Sequence, residues 1–181
     1  VFVGRLQAMV SSTDFEPSTL KEVVERAVAM AAAAPEDPYC GLADPGQIVT
    51  DPPSIDICDD TEPPNEALID AARAAEDAAR AVPGITNTEG AETGWSRAEI
   101  AIAATNGFAR TYSTSSHSLA ASVLAGEGTA MERDYDYTSA VYYDDLDKPA
   151  DIGRSAGERA VKRLNARKVK TQQVPVIYDP R

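Results

Sequence analysis

Ile100-Ala-Ile-Ala-Ala-Thr-Asn106-Gly107-Phe108-Ala-Arg110-Thr-Tyr112 fixes the character of the chain. Ile100, Ile102 and Ala104 alternate with Glu99, Ala101 and Ala103, and Phe108, Arg110 and Tyr112 alternate beyond the Asn-Gly pair. Alternation on both sides of Asn-Gly predicts a β-hairpin, here with a type I′ turn, because both central residues of that turn need positive φ. Downstream, Ser118–Ala125 and Thr129–Ser139 read as further strands separated by Gly126 and Gly128. The region 85–143 is therefore expected to be an antiparallel meander of about four or more strands.

Outside the meander the period changes to that of helices. Pro17 suits a first helical turn, and Leu20, Val23, Val24, Ala27, Val28 and Ala31 recur at helical spacing, predicting a helix over 17–34. A second, over 65–82, places Leu68, Ile69, Ala72, Ala75, Ala79 and Val82 on one face and stops at Pro83-Gly84. A third, over 149–165, carries Ile152, Ala156, Ala160, Val161 and Leu164, with Arg163 and Arg167 near its C-terminal end, where the macrodipole favours cations. Phe2 and Val3, then Ala8 and Val10 across Gly4-Arg5, predict a small strand pair, and Val174–Tyr178 is a further strand candidate. Three helices and an antiparallel meander in separate blocks make the class α+β. Residues 35–64 hold seven prolines and the acids Asp59, Asp60 and Glu62, and read as an extended strap open to proteolysis, with Gln47–Thr50 and Ser54–Cys58 its plausible extended pieces.

Composition narrows the function. With 17 Lys+Arg against 29 Asp+Glu, the net charge of −12 repels phosphate backbones, so direct nucleic-acid binding is not expected. The longest apolar run, Ala27–Ala34, is too short to cross a membrane. Cys40 and Cys58 lack zinc-knuckle spacing and read as free thiols of a cytoplasmic protein. The chain starts without Met and stops just after Val174–Tyr178, so both ends are read as cut.

Four residues are candidate peptide or partner contacts. His117 is the only histidine; Ser116 and Ser118, its neighbours on a strand, point to the opposite face, which makes a structural or surface histidine the plainer reading than a hydrolase base. Met131, Arg133, Tyr135 and Tyr137 share one strand face, and Glu132, Asp134 and Asp136 the other. The first set is either an aromatic and cationic wall for a peptide or partner, or, more plainly, a sheet face under a helix with Arg133 in an ion pair. No three potential metal ligands stand at recognisable spacing, and no catalytic dyad is visible.

The order of motifs is more specific than any one of them. Ser11-Ser-Thr-Asp14, Ile85-Thr-Asn-Thr-Glu-Gly90, Thr105-Asn-Gly-Phe108, Ser116-His-Ser-Leu119, Met131-Glu-Arg-Asp-Tyr135 and Arg167-Lys-Val169 ahead of Pro175-Val-Ile177 together resemble the PmbA/TldE family, also described as modulators of DNA gyrase. The resemblance covers nearly the whole chain and implies its N-terminal part, without a C-terminal β-rich domain. It implies a non-catalytic subunit that pairs with a TldD-like subunit, which carries zinc on a His-Glu-x-x-x-His helix and cleaves unfolded or modified peptides. No cofactor is expected in this chain, and no family catalytic residue transfers to it. The alternatives are a regulator that acts by binding DNA gyrase, and an independent hydrolase built on His117.

Overall fold

The computed structural model describes residues 1–178 and divides into two compact units. Of the described residues, the first comprises 1–54 and 101–111, the second 55–100 and 112–178.

In the first unit, strands β1 (Phe2–Val3) and β2 (Leu6–Gln7) pair antiparallel, with Phe2 opposite Gln7 and Val3 opposite Leu6. Gly4 takes φ +63 in the turn between them, a conformation that costs a residue without Cβ little. Helix α1 (Pro17–Ala32) begins on the expected proline and buries Ala27 and Ala31. Asp14 organises its start, accepting from the Glu16 N–H at 2.9 Å and the Thr19 hydroxyl at 2.7 Å. The tip of the predicted hairpin also belongs here. Its turn differs from expectation: only Gly107 has positive φ, at +95, while the Gly107 N–H bonds to Ala104 O and the Ala104 N–H to Phe108 O. Thr105, Asn106 and Gly107 thus form a three-residue loop closed by a left-handed glycine, not a two-residue type I′ turn. Asn106 is freed from positive φ because it serves elsewhere: its Oδ1 accepts from the Phe108 N–H, and its Nδ2 donates to Ala43 O on the strap. Arg110 likewise donates to Thr50 O. Gln47–Thr50 forms no strand; Pro45–Gln47 is a single 3₁₀ turn.

The second unit is a sheet under two helices. Strands β3 (Ile85–Ala103), β4 (Ala109–Ala125) and β5 (Glu132–Ala140) lie in the order β3-β4-β5, the first two passing onward into the first unit. The meander has three strands where more were expected, because Ala109–Tyr112 and Ser118–Ala125 are parts of one continuous β4. Together with β1 and β2 the described residues contain five strands, and the class is α+β as expected. Antiparallel pairing sets Leu119 opposite Thr138, Val123 opposite Asp134 and Ser122 opposite Tyr135.

Helices α2 (Asn65–Arg80) and α3 (Pro149–Arg163) cover one face of this sheet. The core they enclose consists of Ala75 and Ala79 from α2, Leu119, Ala121, Val123 and Ala125 from β4, and Ile152, Ala156 and Ala160 from α3. Small residues let the helices approach closely. A Cβ on Gly153 would stand 1.9 Å from Ala75 O, and one on Gly157 2.7 Å from Val82 Cγ2. Neither Ser54–Cys58 nor Val174–Tyr178 forms a strand; the latter lies exposed in an arm over 166–178 that carries no regular structure. No helix among the described residues is long and apolar enough to cross a membrane.

Candidate functional site

The alternation of β4 and β5 sorts the four candidate residues onto opposite faces. On β4, Ser115, His117, Leu119, Ala121, Val123 and Ala125 are buried towards the helices. Their partners on β5 are the acids and Thr138: Ala125 faces Glu132, Val123 faces Asp134 and Ala121 faces Asp136. The helix-covered face is therefore the acidic one. Arginines of α3 neutralise it, with Arg163 Nη1 3.0 Å from Asp134 Oδ2 and Arg159 3.7 Å from Asp134 and 3.3 Å from Asp136. Burial pushes the Asp134 carboxyl up, but the Tyr135 N–H and the two arginines outweigh it and hold its pKa below the usual value.

Arg133, Tyr135 and Tyr137 stand on the opposite face, turned away from α2 and α3. The reading that placed them beneath a helix is corrected: the period of two puts the acids inside and leaves Tyr135 51% and Tyr137 46% exposed. Their rings stack at 6.3 Å between centroids and 25° between planes. The expected ion pair of Arg133 does form, to Glu89 of β3 at 2.6 Å, and Ser122 of β4 donates to the same carboxylate while accepting from Arg133 Nε. Glu89, Ser122 and Arg133 thus tie three strands together across the open face. Beside them run two shallow grooves of about 490 and 530 Å³, the first floored by Gly90, Ala91 and Ala120 and the second by Gly94, with Tyr135 bordering both. Small residues on β3 and β4 beside tyrosines on β5 make a step that an extended chain or an aromatic side chain could occupy.

His117 does not join that surface. It is 1% exposed on the helix side, stacked on Trp95 at 6.4 Å and met edge-on by Tyr143 at 5.5 Å. Its Nε2 lies 3.4 Å from Asp59 Oδ2, and neither ring nitrogen makes a directed hydrogen bond. Asp59 belongs to the strap and is heavily engaged. Its carboxylate accepts from the backbone N–H groups of Tyr143 and Thr61, which hold its pKa below the usual value, with His117 a smaller influence. Its own N–H donates to Ser115 Oγ at 2.7 Å, and Ser115 Oγ donates to Val141 O. Ile57 O accepts from the Ser115 N–H, and Tyr142 donates its hydroxyl to Asp56, which pushes the phenol up to about 12. The histidine and Ser115 thus anchor the strap instead of forming a nucleophile and base: the Ser115 hydroxyl is spent on backbone groups. Asp59, Glu89 and Ser122 were missed in the sequence because each lies some tens of residues from its partner and carries no local pattern.

Among the described residues no three His, Cys, Asp or Glu side chains gather as metal ligands. His117 and Asp59 supply two donors and an aromatic enclosure supplies no third, so a zinc ion does not fit this site.

A sheet with one face sealed by two close-packed helices and the other open defines an α+β domain that presents a sheet surface. The family model described as the PmbA/TldA metallopeptidase central domain matches residues 58–164, and the chain belongs to this PmbA/TldD metallopeptidase family. It is 36% identical over 179 residues to Metalloprotease PmbA of Escherichia coli O157:H7, covering 98% of this chain and 40% of that protein. It is 31% identical over 179 residues to a Metalloprotease PmbA homolog of Haemophilus influenzae, with the same coverage. The chain thus spans about 40% of the length of these relatives. In fold it is similar to a Bacteroides thetaiotaomicron protein described as a candidate modulator of DNA gyrase, with a TM-score of 0.76, 24% identity, and coverage of 94% of this chain and 40% of that one. It is also similar in fold to TldE of Thermococcus kodakarensis, with a TM-score of 0.55, 20% identity, and coverage of 88% and 34%.

Proposed function

We propose that this chain acts in a TldD/TldE-like metalloprotease as the non-catalytic, PmbA/TldE-type subunit, holding peptide or partner rather than cleaving it. The observation that carries the reading is the open face of the sheet, where Arg133, Tyr135 and Tyr137 stand over grooves floored by glycine and alanine. Stacked tyrosines supply contact area at low entropic cost, and the Glu89–Arg133 pair fixes the floor they stand on. Zinc is expected in the TldD-like partner subunit. An unfolded or modified peptide is the expected substrate, and the cytoplasm the expected compartment.

The test is to purify the protein with a TldD homologue and measure complex formation and chelator-sensitive peptide cleavage. A complex whose cleavage requires this subunit, weakened by Tyr135→Ser with Tyr137→Ser, supports the proposal. Absence of a complex together with cleavage that ignores this subunit overturns it. A second reading, a regulator that binds DNA gyrase, draws on the acidic charge of −12, which suits the basic surface of a DNA-binding enzyme. Salt-sensitive binding to purified gyrase distinguishes it.

A further inference from the structure

On its helix side, the sheet of the second unit borders a cavity of about 190 Å³ between α2, β4 and the start of α3. Its walls are largely apolar, with Leu68 and Ala71 from α2, Leu119 from β4, and Leu146 and Pro149 where α3 begins. Asp147 and Lys148, both exposed, bring opposite charges to its rim, so no net charge there selects an ion. An apolar cavity of about 150 Å³ holds a benzene ring, and this one has room for a ring with a single polar substituent.

His117 provides the polar contact. Thr93 and Ser118 also line the cavity, but their hydroxyls donate to Leu68 O at 3.0 Å and Gly94 O at 3.5 Å. His117 is 1% exposed and lines the same cavity, and neither of its ring nitrogens has a hydrogen-bond partner among the described residues. A buried nitrogen in this state costs stability that a bound partner restores. The two nitrogens are not equivalent. Nε2 lies 3.4 Å from Asp59 Oδ2, and that carboxylate favours the tautomer with the ring proton on Nε2. Nδ1 then presents a lone pair, so the group it lacks is a hydrogen-bond donor. Asp59 does not compete for that donor, because its two oxygens already accept from the Thr61 and Tyr143 N–H groups. The apolar walls disfavour a charged ammonium donor and suit a neutral hydroxyl on an apolar body. Tyr143, which meets His117 edge-on, lines the cavity as well and continues the aromatic surface into it.

We propose that this cavity binds a phenol, the ring packed against Leu68, Leu119 and Leu146 and the hydroxyl donating to His117 Nδ1. A small free phenol and a tyrosine side chain of a peptide share this chemistry. The inference is independent of the peptidase reading above. It uses the helix side of the sheet, not the tyrosine face.

His117 is the only histidine of the chain, so a long-range proton–nitrogen NMR spectrum of the isotope-labelled protein reads its two ring nitrogens without ambiguity. Titration with para-cresol is expected to shift Nδ1 saturably towards its hydrogen-bonded position, and toluene, which lacks the donor, to bind about tenfold more weakly. Ala71→Leu, which fills the cavity, should abolish the shift. A response to para-cresol alone assigns the site to a free phenol, and a response to N-acetyltyrosine amide as well assigns it to a tyrosine side chain; either supports the proposal. Toluene binding as tightly as para-cresol overturns it, since the cavity would then select only apolar bulk. An Nδ1 resonance that neither phenol moves in the unaltered protein overturns it too, and so does a shift that persists in folded Ala71→Leu protein.

Discussion

Gly107 and Asp134 show what single residues carry. Gly107 has φ +95 and nothing within 4 Å of where a Cβ would stand, so Gly107→Ala isolates backbone strain from packing. It should cost about 1 kcal/mol in a denaturant titration, without change in the compactness of either state. Asp134 tests electrostatics. Its pKa is held below the unfolded value, so its contribution to stability is fully present above the unfolded carboxylate pKa of about 4 and is lost as pH falls through the lower folded value. Asp134→Asn should therefore lower the urea midpoint at neutral pH and shrink the loss seen on acidification to about pH 3. Neither residue announced its role. Asn-Gly gave away the hairpin, but the turn type depended on Asn106 being needed by Phe108 and the strap.

At the scale of elements, the Ala-rich helices explain themselves once α2 meets α3. In the sequence, Ala72, Ala75 and Ala79 on the face of 65–82 and Ala156 and Ala160 on that of 149–165 are small residues. The structure shows that smallness is the means of contact, since Gly153 leaves no room for even a methyl group against Ala75 O. Gly153→Ala is expected to cost about 3 kcal/mol by forcing the helices apart, read as a fall in thermal midpoint, while Gly46→Ala, with open space around it, should be near neutral. Helix and strand existence was legible because period is local. Strand length was not, since Ser113–His117 lacks an apolar rhythm and joins β4 only because Ile57 of the strap, Val141 beyond β5, and Trp95 and Tyr143 around His117 give it partners.

Across the molecule, the strap reads as one Pro-rich stretch but is held in two manners. Residues 56–61 are pinned through Asp56, Ile57, Asp59 and Asp60, whereas 35–54 carry only scattered bonds, among them those to Asn106 and Arg110. Limited proteolysis should accordingly cut within 35–54 well before 56–61, and His117→Ala should erase that difference by leaving a void beside Asp59. Equal cutting rates in the unaltered protein would count against the anchoring role given to His117.

Period, composition and motif order belonged to the sequence. They determined the α+β class, the helices and hairpin, and the sharing of a face by Arg133, Tyr135 and Tyr137, because each depends on neighbours a few residues apart or on the kind of surface the chain can present. Which face the helices cover was decided only by tertiary structure. Two arginines on α3 make it favourable to bury Asp134 and Asp136, and that choice leaves the tyrosines outside while drawing His117 in against the strap.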